Sequence, residues 1–210
     1  MGNYFSKEKW SYMFYTMAHP MDGYYWIRHR DRGSVPLAIL MVFLFSCSFT
    51  ANRLLASFVV NDIDPRGVDS LYELMGVLAF YLLICVSNWS VTCLMNGEGR
   101  MKDIAIAVGY GTVPMTVALA LATIVSRFIA DEEQAFYTLL IGVGVAYGVI
   151  MILMGIMQVH NYTLGKTLVT LFITVLAAFI LIFVILLLSN LLGIVYNFFY
   201  SIYTELIFRL

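Results

Sequence analysis

Five runs of this sequence are each apolar for about 20 residues, and nearly all the charges fall between them. The runs cover roughly 35–58, 74–95, 104–126, 136–158 and 167–189. A hydrocarbon layer ~30 Å thick takes ~17–25 apolar residues of helix to cross, so each run is long enough. Inside lipid every backbone N–H and C=O must be paired within the chain, which leaves helices or a closed barrel. A barrel would need alternating segments of ~10 residues, and these runs do not alternate. Composition agrees: 61% of residues are hydrophobic and only 12% charged, against about 25% charged in soluble domains. The predicted fold is all-α: a polytopic membrane helix bundle with five transmembrane helices and interfacial amphipathic helices at both ends.

Three segments follow from this. Residues 1–34 form a cytoplasmic or interfacial N-terminal segment, 35–189 the five-helix transmembrane domain, and 190–210 an amphipathic C-terminal helix. The first apolar run starts too late and runs too long for a cleaved signal, so it is expected to stay as an anchor. In the N-terminal segment Trp10, Met13, Phe14 and Met17 share one helical face. His19-Pro20 should end that helix, because the residue before proline avoids the helical region. Tyr24, Tyr25 and Trp26 then precede the basic run 28–32, a combination suited to lipid headgroups. At the other end Asn197, Ser201 and Glu205 lie four apart. That spacing reads as a surface helix or as an extension of the fifth span.

Basic residues set the orientation. With the N-terminus inside, eight of the twelve Lys and Arg are cytoplasmic: Lys7, Lys9, Arg28, Arg30, Arg32, Arg100, Lys102 and Lys166. The positive-inside rule then places the N-terminus in and the C-terminus out. The net charge of −1 gives no field to attract nucleic acid.

No catalytic constellation emerges. There is no H-E-x-x-H, no P-loop and no span with two acids. Cys47, Cys85 and Cys93 each sit in an apolar run and read as small core residues. His19, His29 and His160 show no ligand spacing, so solvated or interfacial roles are expected and no metal or cofactor is predicted. Arg53 lies near the far end of the first run; snorkelling to headgroups is the expectation and an ion pair the alternative. Within "NGEGRMKD", residues 96–103, Asn96, Gly97 and Gly99 supply turn geometry between two antiparallel spans, and Asp103 caps the third. Glu98 and Arg100 offer charge to a partner. Trp89 and Pro114 are expected to fix how the second and third spans lean, with Gly109 loosening the turn before the proline. Gly144 and Gly148 make a G-x-x-x-G in the fourth span, which marks either an interface with another protein or close internal packing.

Order and spacing of four segments carry a resemblance over almost the whole chain. "HPMDGYYWIRHRDRGSV" (19–35), "NWSVTCLMNGEGRMKDI" (88–104), "GYGTVP" (109–114) and "HNYTLGKTL" (160–168) resemble the bacterial branch of the Yip-domain, or Ypt-interacting protein, family. Gly109, Tyr110 and Pro114 match the family's glycine-tyrosine-x-x-x-proline pattern in the third span. The resemblance implies five spans and no catalytic residues. Eukaryotic members bind Rab-type GTPases and carry a long acidic domain before the first span. This sequence has only about 34 residues there, so Rab binding is not carried over. Bacterial relatives accompany carbohydrate-uptake ABC transporters, which makes such subunits candidate partners.

The function expected is therefore a non-enzymatic scaffold or accessory subunit of the bacterial plasma membrane, in contact with lipids and other integral membrane proteins. The alternative is a small transporter or channel with a site at the kinked third span. It would use Asn88, Thr92, Tyr110, Thr112 and Thr116.

Overall fold

The computed structural model describes residues 6–209. Residues 1–5 and 210, the extreme ends of the two expected terminal segments, lie outside the described residues. Seven α-helices follow one another: α1 (Lys7–Ala18), α2 (Pro20–Arg30), α3 (Val35–Leu55), α4 (Ser70–Leu94), α5 (Met101–Val125), α6 (Gln134–His160) and α7 (Leu164–Arg209). Among the described residues, five helices are long and apolar enough to cross a membrane, and they are α3 to α7.

Helix ends are set by caps rather than by hydropathy. The Asp69 carboxylate accepts from the N–H groups of Leu71 and Tyr72, which starts α4 at Ser70 and not at 74. Glu73 therefore falls inside the helix. α5 begins at Met101 with Arg100 as its N-cap, so Asp103 is the third helical residue and caps by reaching back: Oδ2 accepts from the Arg100 N–H at 3.3 Å. α1 stops at Ala18, and Pro20 opens α2, where a missing N–H costs nothing.

α5 is the centre of the bundle. It packs on α3 and α6 and meets α4, whereas α7 lies mainly against α4. The α1–α2 hairpin covers α6 at one end. Its inward face is Tyr12, Met13 and Thr16, while Phe14 points outward. The face is rotated from the expected one because Gly23 of α2 admits Thr16: a Cβ there would lie 2.7 Å from the Thr16 backbone. Tyr12 then donates to the Gly23 carbonyl at 2.8 Å.

The core is off-centre, gathered at the end that holds α1, α2 and the start of α5. Tyr24, Tyr110, Met13, Ile27, Leu37, Ile104, Met151 and Ile156 are its largest fully buried members. Of the three cysteines only Cys85 belongs to it; Cys47 and Cys93 are exposed on their helices, contrary to expectation. Their places are on outward helical faces that lipid rather than protein covers.

The expected C-terminal helix does not stand apart. α7 runs without a break from Leu164 to Arg209, as an extension of the fifth span.

Candidate functional site

The polar side chains gather at the two ends of the bundle. At the basic end, Arg100 is the hub. Its Nε donates to Asp103 Oδ2 at 2.7 Å, and its Nη2 donates to Asp31 Oδ1 at 2.7 Å and to the Arg28 carbonyl at 3.3 Å. Lys102 Nζ adds a bond to the same Asp31 oxygen at 2.8 Å. Asp103 is buried, so its carboxylate is held by this pairing and by its cap. Asp31 ends α2 in the left-handed conformation, φ 49°, which turns its carboxylate toward α5. The hydrogen bond from Lys102 is the main reason the Asp31 carboxyl lies below its ordinary range, with Arg100 assisting. The same carboxylates, Asp103 first, raise the Arg100 guanidinium.

Beside this hub sits His160, the last residue of α6 and almost wholly buried. Its Nδ1 accepts from the Gly99 N–H at 3.1 Å, which places the ring hydrogen on Nε2. That Nε2 has no partner among the described residues. Tyr162 stacks on the ring at 5.3 Å, donates to the Met95 carbonyl at 3.1 Å and carries Lys166 Nζ over its face at 3.9 Å.

This changes what the glycines of the turn do. No described glycine has a positive φ; Asn96, at 54°, makes the left-handed turn. Gly97 and Gly99 instead make room for a histidine. A Cβ at Gly97 would lie 2.6 Å from His160 Nδ1, and one at Gly99 2.5 Å from its Cε1. The expectation that His160 is solvated or interfacial is overturned by its burial. The pair of glycines two apart, facing a histidine outside the helix periodicity, was the available signal. Glu98 points outward from this packed turn and forms no ion pair or hydrogen bond among the described residues.

The other sequence-predicted residues are placed as follows. Tyr110 is buried, and its hydroxyl accepts from the Ser34 N–H at 3.2 Å, which fixes the start of α3. Gly109 lets α3 come close, since a Cβ there would lie 2.7 Å from Ala38 Cβ. Pro114 is buried within a continuous α5. Gly144 and Gly148 face α5 of the same chain: their added Cβ atoms would meet Ala118 at 2.1 Å and the Gly111 carbonyl at 2.7 Å. The internal packing that the sequence left open is thus the contact they make. Trp89 lies exposed, and its neighbour Asn88 takes the inward position on α4. Asn88 Nδ2 donates to Thr174 Oγ1 of α7 at 3.1 Å.

At the opposite end Arg53 pairs with Glu73, and the snorkelling expectation gives way to an ion pair. Glu73 lies just before the second apolar run as hydropathy bounds it, and the Asp69 cap draws it into α4 and into reach. Thr50 donates to the same carboxylate at 2.6 Å. Asn52 ties three helices, donating to Thr123 of α5 at 2.9 Å and accepting from Tyr137 of α6 at 2.8 Å.

Five apolar helices tied at both ends by polar networks define an all-α integral membrane helix bundle. The Yip1 domain model matches residues 14–186, and the chain belongs to the Yip1-domain family. No curated protein and no solved structure gives a match.

Proposed function

We propose that the protein is a non-enzymatic membrane scaffold or accessory subunit that binds other integral membrane proteins through its basic end. By the positive-inside rule that end is cytoplasmic and the C-terminus extracytoplasmic. The observation that carries the reading is the 96–103 turn. It is held rigid from within by His160 and Asp103 yet presents the uncommitted carboxylate of Glu98 outward. A rigid loop tipped with an unpaired charge suits recognition, because little ordering entropy is lost on binding. Arg100 is half-exposed and can extend the same surface, although its charge already holds two carboxylates. Subunits of a carbohydrate ABC transporter are the first partners to test, on the family resemblance.

Glu98→Lys is the clean test, because Glu98 is exposed and makes no hydrogen bond or ion pair among the described residues. Co-purification in mild detergent from the native host, read by mass spectrometry, should lose transporter subunits by about tenfold with an unchanged melting temperature. A tenfold loss is ~1.4 kcal/mol, within the usual range for a truncated interface charge. Unchanged recovery of those subunits would sink the proposal. Orientation is tested separately: with the native cysteines removed, a cysteine at Gly165 should be shielded from an impermeant thiol reagent in intact cells and one at Asp131 should react.

Transport is the second reading, and one observation favours it. Ser87 Oγ and Asn88 Oδ1 are buried in α4 without partners among the described residues, and unpaired polar groups inside a span are where polar cargo or water would bind. Against it, the hydroxyls of Thr92, Thr112 and Thr116 are spent on their own helices. Solute flux into proteoliposomes that Asn88→Ala abolishes would favour transport.

A further inference from the structure

A groove of about 800 Å³ opens between α1, α2 and the linker into α3. Its walls carry Lys7, Lys9, Arg30 and Arg32 together with the rings of Tyr12 and Trp26. None of the four cations is paired with a carboxylate among the described residues. Lys7, Arg30 and Arg32 form no ion pair among the described residues; Arg30 rests 4.5 Å from the Trp26 ring centre and Arg32 5.5 Å from that of Tyr12. Lys9 Nζ is held against the carbonyls of Asp31 and Gly33, at 2.6 and 2.9 Å, with no carboxylate on it. Two acids lie in the walls. Asp31 is already shared by Arg100 and Lys102, which leaves Glu8 as the single uncommitted carboxylate against four cations.

We propose that this groove binds the phosphate of an anionic lipid headgroup. Arginine forks suit phosphate oxygens, and stacking on aromatic rings holds both guanidiniums in place before the ligand arrives. The volume accepts a glycerophosphate-sized group. Position argues for a lipid over a free anion. Arg30 and Arg32 lie just before Val35, where the first span begins. Phe14, Tyr15, Met21 and Tyr25 of the same hairpin are exposed apolar side chains, which acyl tails can cover. The proposal is independent of the protein-binding reading, which rests on Glu98 and the α4–α5 turn.

The test uses the full chain in mild detergent, with native mass spectrometry counting retained dioleoyl phosphatidylglycerol or dioleoyl phosphatidylcholine. The phosphatidylglycerol should be retained preferentially. Arg30→Gln with Arg32→Gln should lower its retention roughly twenty-five-fold, about fivefold per charge. Arg30→Lys with Arg32→Lys should restore most of it, and Arg127→Gln at the opposite end should leave it unchanged. Lys7→Gln, which breaks no ion pair or hydrogen bond among the described residues, gives a second variant with an expected drop of about fivefold. Equal retention by parent and variants would overturn the site. Displacement of the lipid by millimolar inorganic phosphate would also overturn it, by making the groove a free-anion site.

Discussion

α5 and α7 invert the usual relation between oiliness and burial. The most apolar window of α5 has a mean hydropathy of 1.8 and is 61% buried; that of α7 has 3.4 and is 6% buried. In water the oilier helix would be the core. In lipid, apolar surface gains nothing by leaving the solvent, so burial follows what lipid cannot satisfy: close backbone packing and polar groups. α5 supplies both. It carries Gly109 and Gly111, buried Asp103, and the Tyr110 hydroxyl that holds Ser34. α7 offers α4 three buried threonines, Thr167, Thr170 and Thr174, and from Phe179 on its larger side chains face outward. The helix is also roughly 70 Å long at 1.5 Å per residue, more than twice a ~30 Å hydrocarbon layer. The family match ends at residue 186, before the second half of α7 begins to outrun the membrane.

The comparison breaks most visibly at glycine. Gly148→Leu forces a side chain into the Gly111 carbonyl and Met115 of α5. Overpacking typically costs ~1–3 kcal/mol. The Met115 methyl, 2.5 Å from the added Cβ, can swing aside, but the Gly111 carbonyl at 2.7 Å is backbone and cannot, so the α5–α6 pair should separate. Gly193→Leu in α7 meets nothing within 4 Å and should leave the protein unchanged. Size-exclusion profiles in detergent with thermal ramps decide it. If Gly148→Leu stays folded and only loses a partner, the glycines of α6 form an external interface after all.

These contrasts also mark what could be read without a structure. The five spans were legible because length and charge exclusion suffice to find them. Their boundaries moved where one cap decided them, as with Asp69 and Glu73. Tyr110 and Gly109 were legible as a pair, but not their target, since Ser34 and Ala38 lie some 70 residues away in sequence. His160 was missed for the same reason. A buried histidine at a helix end looks like a surface one until the opposing turn is known. Trp89 drew attention by size, whereas the smaller Asn88 made the inward contact.

A smaller effect tests how α7 is held at all. The Asn88–Thr174 hydrogen bond is buried in the α4–α7 seam. Interhelical bonds of this kind in membranes average ~0.6 kcal/mol, with a maximum near 1.7. Asn88→Ala should lower stability within that range and should expose α7 to proteolysis before the other helices. Thr116→Ala removes a hydroxyl bonded only to its own helix, at Thr112, and should leave α7 as protected as in the parent. Equal protection of α7 in Asn88→Ala and parent would show that apolar contact alone seats the helix.

The smallest effect lies at the charged start of α5. Asp31 joins the α2–α3 linker to Arg100 and Lys102, whereas the start of α7 carries no ion pair among the described residues. The bonds are short, but the Asp31 side chain is 61% exposed. Solvent and salt therefore screen most of their value, and exposed pairs contribute ~0–1 kcal/mol. The folded carboxyl is depressed below its ordinary value of 3.8, by the Lys102 hydrogen bond first. Its contribution is thus fully present above pH 3.8 and is lost as pH falls through the lower folded value. Asp31→Asn should melt slightly below the parent at neutral pH, by less than ~1 kcal/mol. The gap should close as the pH is lowered beneath 3.8, and it should shrink near 1 M salt, where the Debye length is about 3 Å. A gap that persisted at low pH and in high salt would mean that Asp31 acts through the shape of its left-handed turn, leaving the α5 junction as dependent on packing as the rest of the helix.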